Sequence, residues 1–356
     1  MATEVFKTYH EHFDYAEADP DPKYEVFNWV KWVEDHIALK QITIAALDPT
    51  IYATKVQATF DALILAECPP EAAKDLALLA LYDLVVLLDD STSMDYDDIP
   101  EGQTGGGGNG PRIATLKKVM KAVGEVYTHA NVDGVNQVKF LNVAKGKLNV
   151  TGDKTGFLDT HKWGGVTRIG SELKRKILDP RVYSKTADVP MTKPLLVVVI
   201  TDGTVEGEQK GLLEHTIISC VAACQGDTAK GRGAVAFQFA QVGTNVEAAK
   251  FLRRLGTDPK TKDYCDCLLE STLDAITDDT LKWEIVPQLL LGAIRDQVRG
   301  FLEDALDSMS IRELILKQWR NHYVPLRIKG EALTIDHERD LPEYGEFDTE
   351  EADDEA

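Results

Sequence analysis

Apolar positions along this chain fall into two rhythms. From about Glu25 to Tyr82 they recur at helical spacing. Val26, Val30, Val33 and Ile37 share one face, Pro69-Pro70 interrupts, and Glu71 opens a second helix carrying Leu76, Leu79 and Leu81. From Asp83 onward, short unbroken Val/Ile/Leu runs alternate with helical stretches. Strands are predicted at Asp83 to Asp89, near Val138 to Leu141, at Leu195 to Asp202, at Gly233 to Gly243 and near Tyr264 to Leu268. Helices are predicted between them: one with Ile113, Leu116, Met120, Val123 and Tyr127 on a face, then Thr167 to Leu178, Leu212 to Cys224, and Val246 to Leu255. Such alternation predicts an α/β fold, a doubly wound and mostly parallel sheet flanked by helices. The strand runs are near-continuous in apolar residues, as expected of strands covered on both faces.

After Lys282 helical periodicity returns, through about Trp319. The last stretch, LPEYGEFDTEEADDEA, has no basic residue and reads as a disordered acidic tail. The chain therefore divides into a helical N-terminal extension (1–78), an α/β domain (79–306), a C-terminal helical extension (307–336) and an acidic tail (337–356). Residues Thr104 to Gly110, TGGGGNG, lack the Lys-Ser/Thr of a phosphate loop and read as flexible linker.

Composition narrows the function classes. A hydrophobic content of 44% supports a sizeable core, and 59 acidic against 39 basic residues give a net charge of -20. That balance disfavours nucleic acid and anionic membranes as partners. No apolar run approaches the ~18 residues of a membrane span, and the N-terminus carries no secretory pattern. Five cysteines without a regular framework fit a reducing compartment, so a cytoplasmic location is expected.

The candidate chemistry sits at strand ends. In LVVLLDDSTSM a buried strand delivers Asp89, and Ser91 and Ser93 follow at alternate positions of the loop. In VVVITDG a second buried strand delivers Asp202, and KWGGVTRIGSEL places Thr167 in a Gly-flanked turn before a helix. C-terminal strand ends of an open parallel sheet line one edge, so these distant residues can converge there. Carboxylates and hydroxyls are hard oxygen ligands suited to Mg2+ or Mn2+ rather than zinc.

Asp-x-Ser-x-Ser, a later loop Thr and a strand-end Asp-Gly together resemble the metal-ion-dependent adhesion site of von Willebrand factor A domains. The segments YDLVVLLDDSTSM, NVDGVNQVKFLN, PLLVVVITDG, AVAFQFAQVGTNVEAAKFL and LLLGAI are similar to the intracellular, mainly fungal branch of that family, over about Leu81 to Arg295. The resemblance implies a metal held by Asp89, Ser91, Ser93, Thr167 and Asp202, with Mg2+ or Mn2+ as cofactor. It further implies a protein partner whose acidic residue completes the coordination, and no catalytic residue. Thr92 stands where the branch usually has Gly, and Gly-Gly-Val-Thr replaces Gly-Thr-Pro-Thr.

Other readings of the same residues are a structural scaffold with a vestigial site and a metal-dependent phosphatase or hydrolase. Asp89 and the serines could serve as loop caps, and Thr167 could be a helix N-cap. Asp95, Asp97 and Asp98 read as a solvated acidic loop rather than a second cation site. Cys220, Cys224, Cys265 and Cys267 lack the usual zinc spacings and read as core thiols.

Overall fold

The computed structural model describes residues 16–18, 25–95, 110–183, 191–203, 205–268, 273 and 279–294. Most of the Gly-rich insert, the C-terminal helical extension and the acidic tail lie outside the described residues, as do Asp97 and Asp98.

A short antiparallel pair, β1 (Ala16–Ala18) and β2 (Glu25–Phe27), precedes three helices, α1 (Trp29–Leu39), α2 (Pro49–Leu65) and α3 (Pro70–Ala77). Asn28 and Asp48 cap α1 and α2 by accepting from backbone N–H groups of their first turns, and Pro49 and Pro70 occupy first positions where a missing N–H costs nothing.

A six-stranded sheet follows. Its strands are β3 (Asp83–Leu88), β4 (Val135–Phe140), β5 (Lys147–Val150), β6 (Leu195–Thr201), β7 (Val235–Gln241) and β8 (Cys265–Leu268). They are ordered β5-β4-β3-β6-β7-β8, all parallel except β5, which runs antiparallel to β4. The helices are α4 (Pro111–Ala130), α5 (Ile169–Leu173), α6 (Leu212–Gln225), α7 (Val246–Thr257) and α8 (Asp279–Leu291). From the central pair the chain winds outward in opposite directions, through α4 to β4 and through α6 to β7. Right-handed crossovers then place those helices on opposite faces. The doubly wound α/β reading holds.

Leu84–Leu88 of β3 and Val197–Ile200 of β6 have no exposed surface, which is why both read as continuous apolar runs. Leu88 pairs with Ile200, so the two strands end side by side at the sheet's topological switch point. The N-terminal helices join this core: Val33, Phe60, Leu63 and Leu76 belong to the same buried cluster as the sheet. A polar link fastens them, because the buried His36 Nε2 lies 2.9 Å from the Tyr82 hydroxyl just before β3.

Two expectations need correction. The predicted helix from Thr167 begins only at Ile169, and after Leu173 it widens into π-type turns through Tyr183, with Pro180 unable to supply an N–H. The edge strand β5 was not anticipated. Among the described residues no helix is long and apolar enough to cross a membrane.

Candidate metal centre

The loop after β3 turns back on itself at once. The Asp89 carboxylate holds this turn, one oxygen accepting from the Ser91 N–H at 2.9 Å and the other from the Thr201 hydroxyl at 2.6 Å. Asp89 thereby ties the ends of the two central strands together. The turn aims the serine side chains at β6: Ser91 Oγ lies 3.0 Å from Ser93 Oγ, and the Ser93 hydroxyl donates to Asp202 Oδ1 at 2.9 Å. Thr167 arrives from a third loop. A Cβ built on Gly203 would stand 3.7 Å from Ser93 Oγ and 3.8 Å from Thr167 Oγ1. All five residues named from the sequence thus gather at one strand-end site. Asp89, Ser91, Thr167 and Asp202 are buried, and Ser93 is half-buried.

Thr167 is not the N-cap of the helix it precedes. Arg168 holds that position without a side-chain bond, and Glu208 caps the helix from across the site, accepting from the Gly170 and Ser171 N–H groups at 2.9 and 2.8 Å. No capping duty therefore occupies the Thr167 hydroxyl.

A second carboxylate sets the loops without joining the cluster. Asp90, fully buried, accepts from Asn142 N–H at 2.7 Å, Asn142 Nδ2 at 3.1 Å, Val143 N–H at 3.3 Å and His161 Nε2 at 3.0 Å. The His161 ring stacks on Phe140, centroids 3.9 Å apart. Asn142 passes the constraint on, its Oδ1 accepting from the Val166 N–H at 3.1 Å. Gly165, at φ +114°, is required here, since any Cβ would run into the Asn142 amide. Thr92 completes the link, its N–H donating to Gly165 O at 3.2 Å and its Oγ1 accepting from Gly165 N–H at 3.1 Å. Behind the loop, Lys176 Nζ donates to the carbonyls of Phe140 (2.6 Å), Leu141 (2.7 Å) and Val143 (3.1 Å).

The electrostatics are unbalanced. Burial first, and the Asp202 charge second, push Asp89 up to about 6, against hydrogen bonds from Ser91 and Thr201 that favour the carboxylate. The counter-charge present is Arg112, whose Nη1 donates to Asp202 Oδ2 at 2.6 Å and to Ser93 O at 3.0 Å.

Sequence reasoning missed Arg112, Asp90, Asn142, His161 and Glu208. For Arg112 a signal existed: a cation in the first turn of a helix opposes the macrodipole and needs a carboxylate elsewhere. Cys220 and Cys224 lie on α6, and Cys265 and Cys267 on β8. Among the described residues no group of three or more His, Cys, Asp or Glu side chains is arranged to hold a metal. With two carboxylates and three hydroxyls, the strand-end cluster is of another kind.

No family model matches the chain, and no curated protein matches it. Solved structures similar to it include a von Willebrand factor type A protein from Catenulispora acidiphila, at 16% identity and a TM-score of 0.34, over 58% of this chain and 42% of that one. They also include the VWA domain of SpRpn10, at 11% identity and a TM-score of 0.33, over 58% of this chain and 94% of that one. This chain spans less than half the length of the first. Both superpositions are partial, and the topology and strand-end geometry stand without them.

Proposed function

We propose that the strand-end cluster is a Mg2+ or Mn2+ site through which the protein binds an acidic residue of a protein partner. One observation carries this reading: the chain of oxygens from Ser91 Oγ through Ser93 Oγ to Asp202 Oδ1, in steps of 3.0 and 2.9 Å, with Thr167 Oγ1 nearby, 3.8 Å from where a Cβ on Gly203 would stand. Adjacent ligands of an octahedral Mg2+ at 2.0–2.1 Å stand about 2.9 Å apart, and hard oxygens are what this ion takes. Ser91, Ser93 and Thr167 would hold the ion directly. Asp89 and Asp202 would supply negative charge from behind or beside them. A bound dication would also favour the charged form of Asp89, which burial first and the Asp202 charge second disfavour. Because the three hydroxyls are neutral, the ion keeps its attraction for an incoming carboxylate. No reaction is assigned.

The experiment is thermal unfolding with and without Mg2+ or Mn2+, on wild type, Asp89→Ala and Thr167→Ala. A ligand at 100 times its dissociation constant stabilises the fold by about 2.7 kcal/mol. Stabilisation of wild type alone is the expected result, and no response from any of the three removes the reading. A scaffold without metal is the second reading, favoured by Arg112, which already supplies a positive charge to Asp202. It predicts that the same substitutions leave partner binding intact.

A further inference from the structure

Arg112 is built into the site more firmly than a surface ion pair would be. It is the second residue of α4, where the positive end of the helix dipole disfavours a guanidinium. Its side chain is only 12% exposed, and its partner Asp202 is fully buried. Two strand ends hold it, Ser93 O after β3 and the Asp202 carboxylate after β6, and it lies against Gly243 after β7, where a Cβ would stand 2.6 Å from Arg112 Nε. Asp202 in turn divides its two oxygens, Oδ1 toward Ser93 and Oδ2 toward Arg112.

On the metal reading of the site, we infer that Arg112 is a resident cation that shares Asp202 with the metal and sets its affinity. Two carboxylates and one guanidinium leave the site one negative charge. A dication turns this into one positive charge, which a single carboxylate of a partner cancels. Arg112 therefore weakens the grip on the metal alone, and it strengthens the demand for an acidic ligand once the metal is in place. The coupling is reciprocal, as any linkage between two ligands must be.

The test is titration with Mn2+ alone, read by the loss of free-ion electron paramagnetic resonance signal, on wild type, Arg112→Gln and Arg112→Lys. Arg112→Gln is expected to bind Mn2+ about tenfold tighter, within the range of ordinary site-to-site coupling, and Arg112→Lys close to wild type. Equal or weaker binding by Arg112→Gln overturns the inference and leaves the metal reading standing. Failure of all three proteins to take up Mn2+ at millimolar concentration brings down the metal reading, and the inference with it. A second readout needs no neutral variant. The Arg112 Nε–H resonance of wild type, assigned by its loss in Arg112→Lys, is expected to move when Mg2+ is added. A resonance that stays fixed while Mn2+ binds also overturns the inference.

Discussion

Replacing Asp90 by alanine removes the acceptor on which the loop after β4 and the loop before Thr167 both close. Four hydrogen bonds end on this carboxylate, two from backbone N–H groups of Asn142 and Val143, one from the Asn142 amide and one from His161. The Asn142 amide and His161 can turn toward other partners, but the two backbone donors are fixed by the chain. Each buried donor left unpaired costs about 1–3 kcal/mol. The two backbone donors together give about 2–6 kcal/mol, and an expected loss of about 4 kcal/mol, at the middle of that range, is a large share of the ~5–15 kcal/mol that holds a domain folded. Asp90→Asn keeps one oxygen but sets an NH2 against a donor, so about half that loss is expected. Urea unfolding of the three proteins checks this, with the midpoint falling in the order wild type, Asn, Ala and the slope unchanged. An Asp90→Ala loss below about 1 kcal/mol, within the range of an ordinary surface substitution, would refute the role given to this carboxylate.

The other predictions use the same protein. Lys176→Met strands three strand-end carbonyls, those of Phe140, Leu141 and Val143. A loss of about 2–4 kcal/mol is expected in urea unfolding. His36 has its pKa pushed down to about 3, first by burial and then by Lys40. Its folded value lies below its unfolded one, so its contribution is fully present above about pH 6.5 and is lost as pH falls toward 3. Between pH 6.5 and 5 the fold should lose about 1.6 kcal/mol through this group, the slope rising toward about 1.36 kcal/mol per unit as the unfolded histidine becomes fully protonated. His36→Gln should flatten that slope in unfolding curves taken at the two pH values. In Gly203→Ala the new Cβ meets Ser93 Oγ and Thr167 Oγ1 at ordinary contact distances of 3.7 and 3.8 Å. Its melting temperature in EDTA should match wild type, while stabilisation by Mg2+ should shrink.

Legibility in the sequence followed burial. β3 and β6 stood out because both faces of each are covered, leaving unbroken apolar runs. β5, Lys147–Val150, was invisible because three of its four residues are exposed and only Val150 carries an apolar signal into the core. The five clustered oxygens were legible because each sits beside such a strand or a Gly turn. The Asp90 network was not, since its contacts join residues 52 to 71 positions apart with no repeat or spacing to betray them, and the place of Arg112 in a first helical turn did not say that Asp202, 90 positions on, is its partner. Thr167 could be placed beside the strand ends although its helix was drawn too long, because the glycines before it marked the turn.

The adjacency of β3 and β6 also sets when the site can exist. Asp89 and Thr201 meet across 112 residues of chain, and Ser93 and Asp202 across 109. Closing so long a loop slows folding, and the gain arrives only once both strands pair. A chain still emerging from the ribosome that has made β3, α4 and β4 carries Asp89, Ser91 and Ser93 but lacks the Thr201 and Asp202 that they meet. Assembly of the strand-end cluster is therefore tied to late synthesis, after β6 has left the exit tunnel. No fragment ending before Asp202 could carry the site.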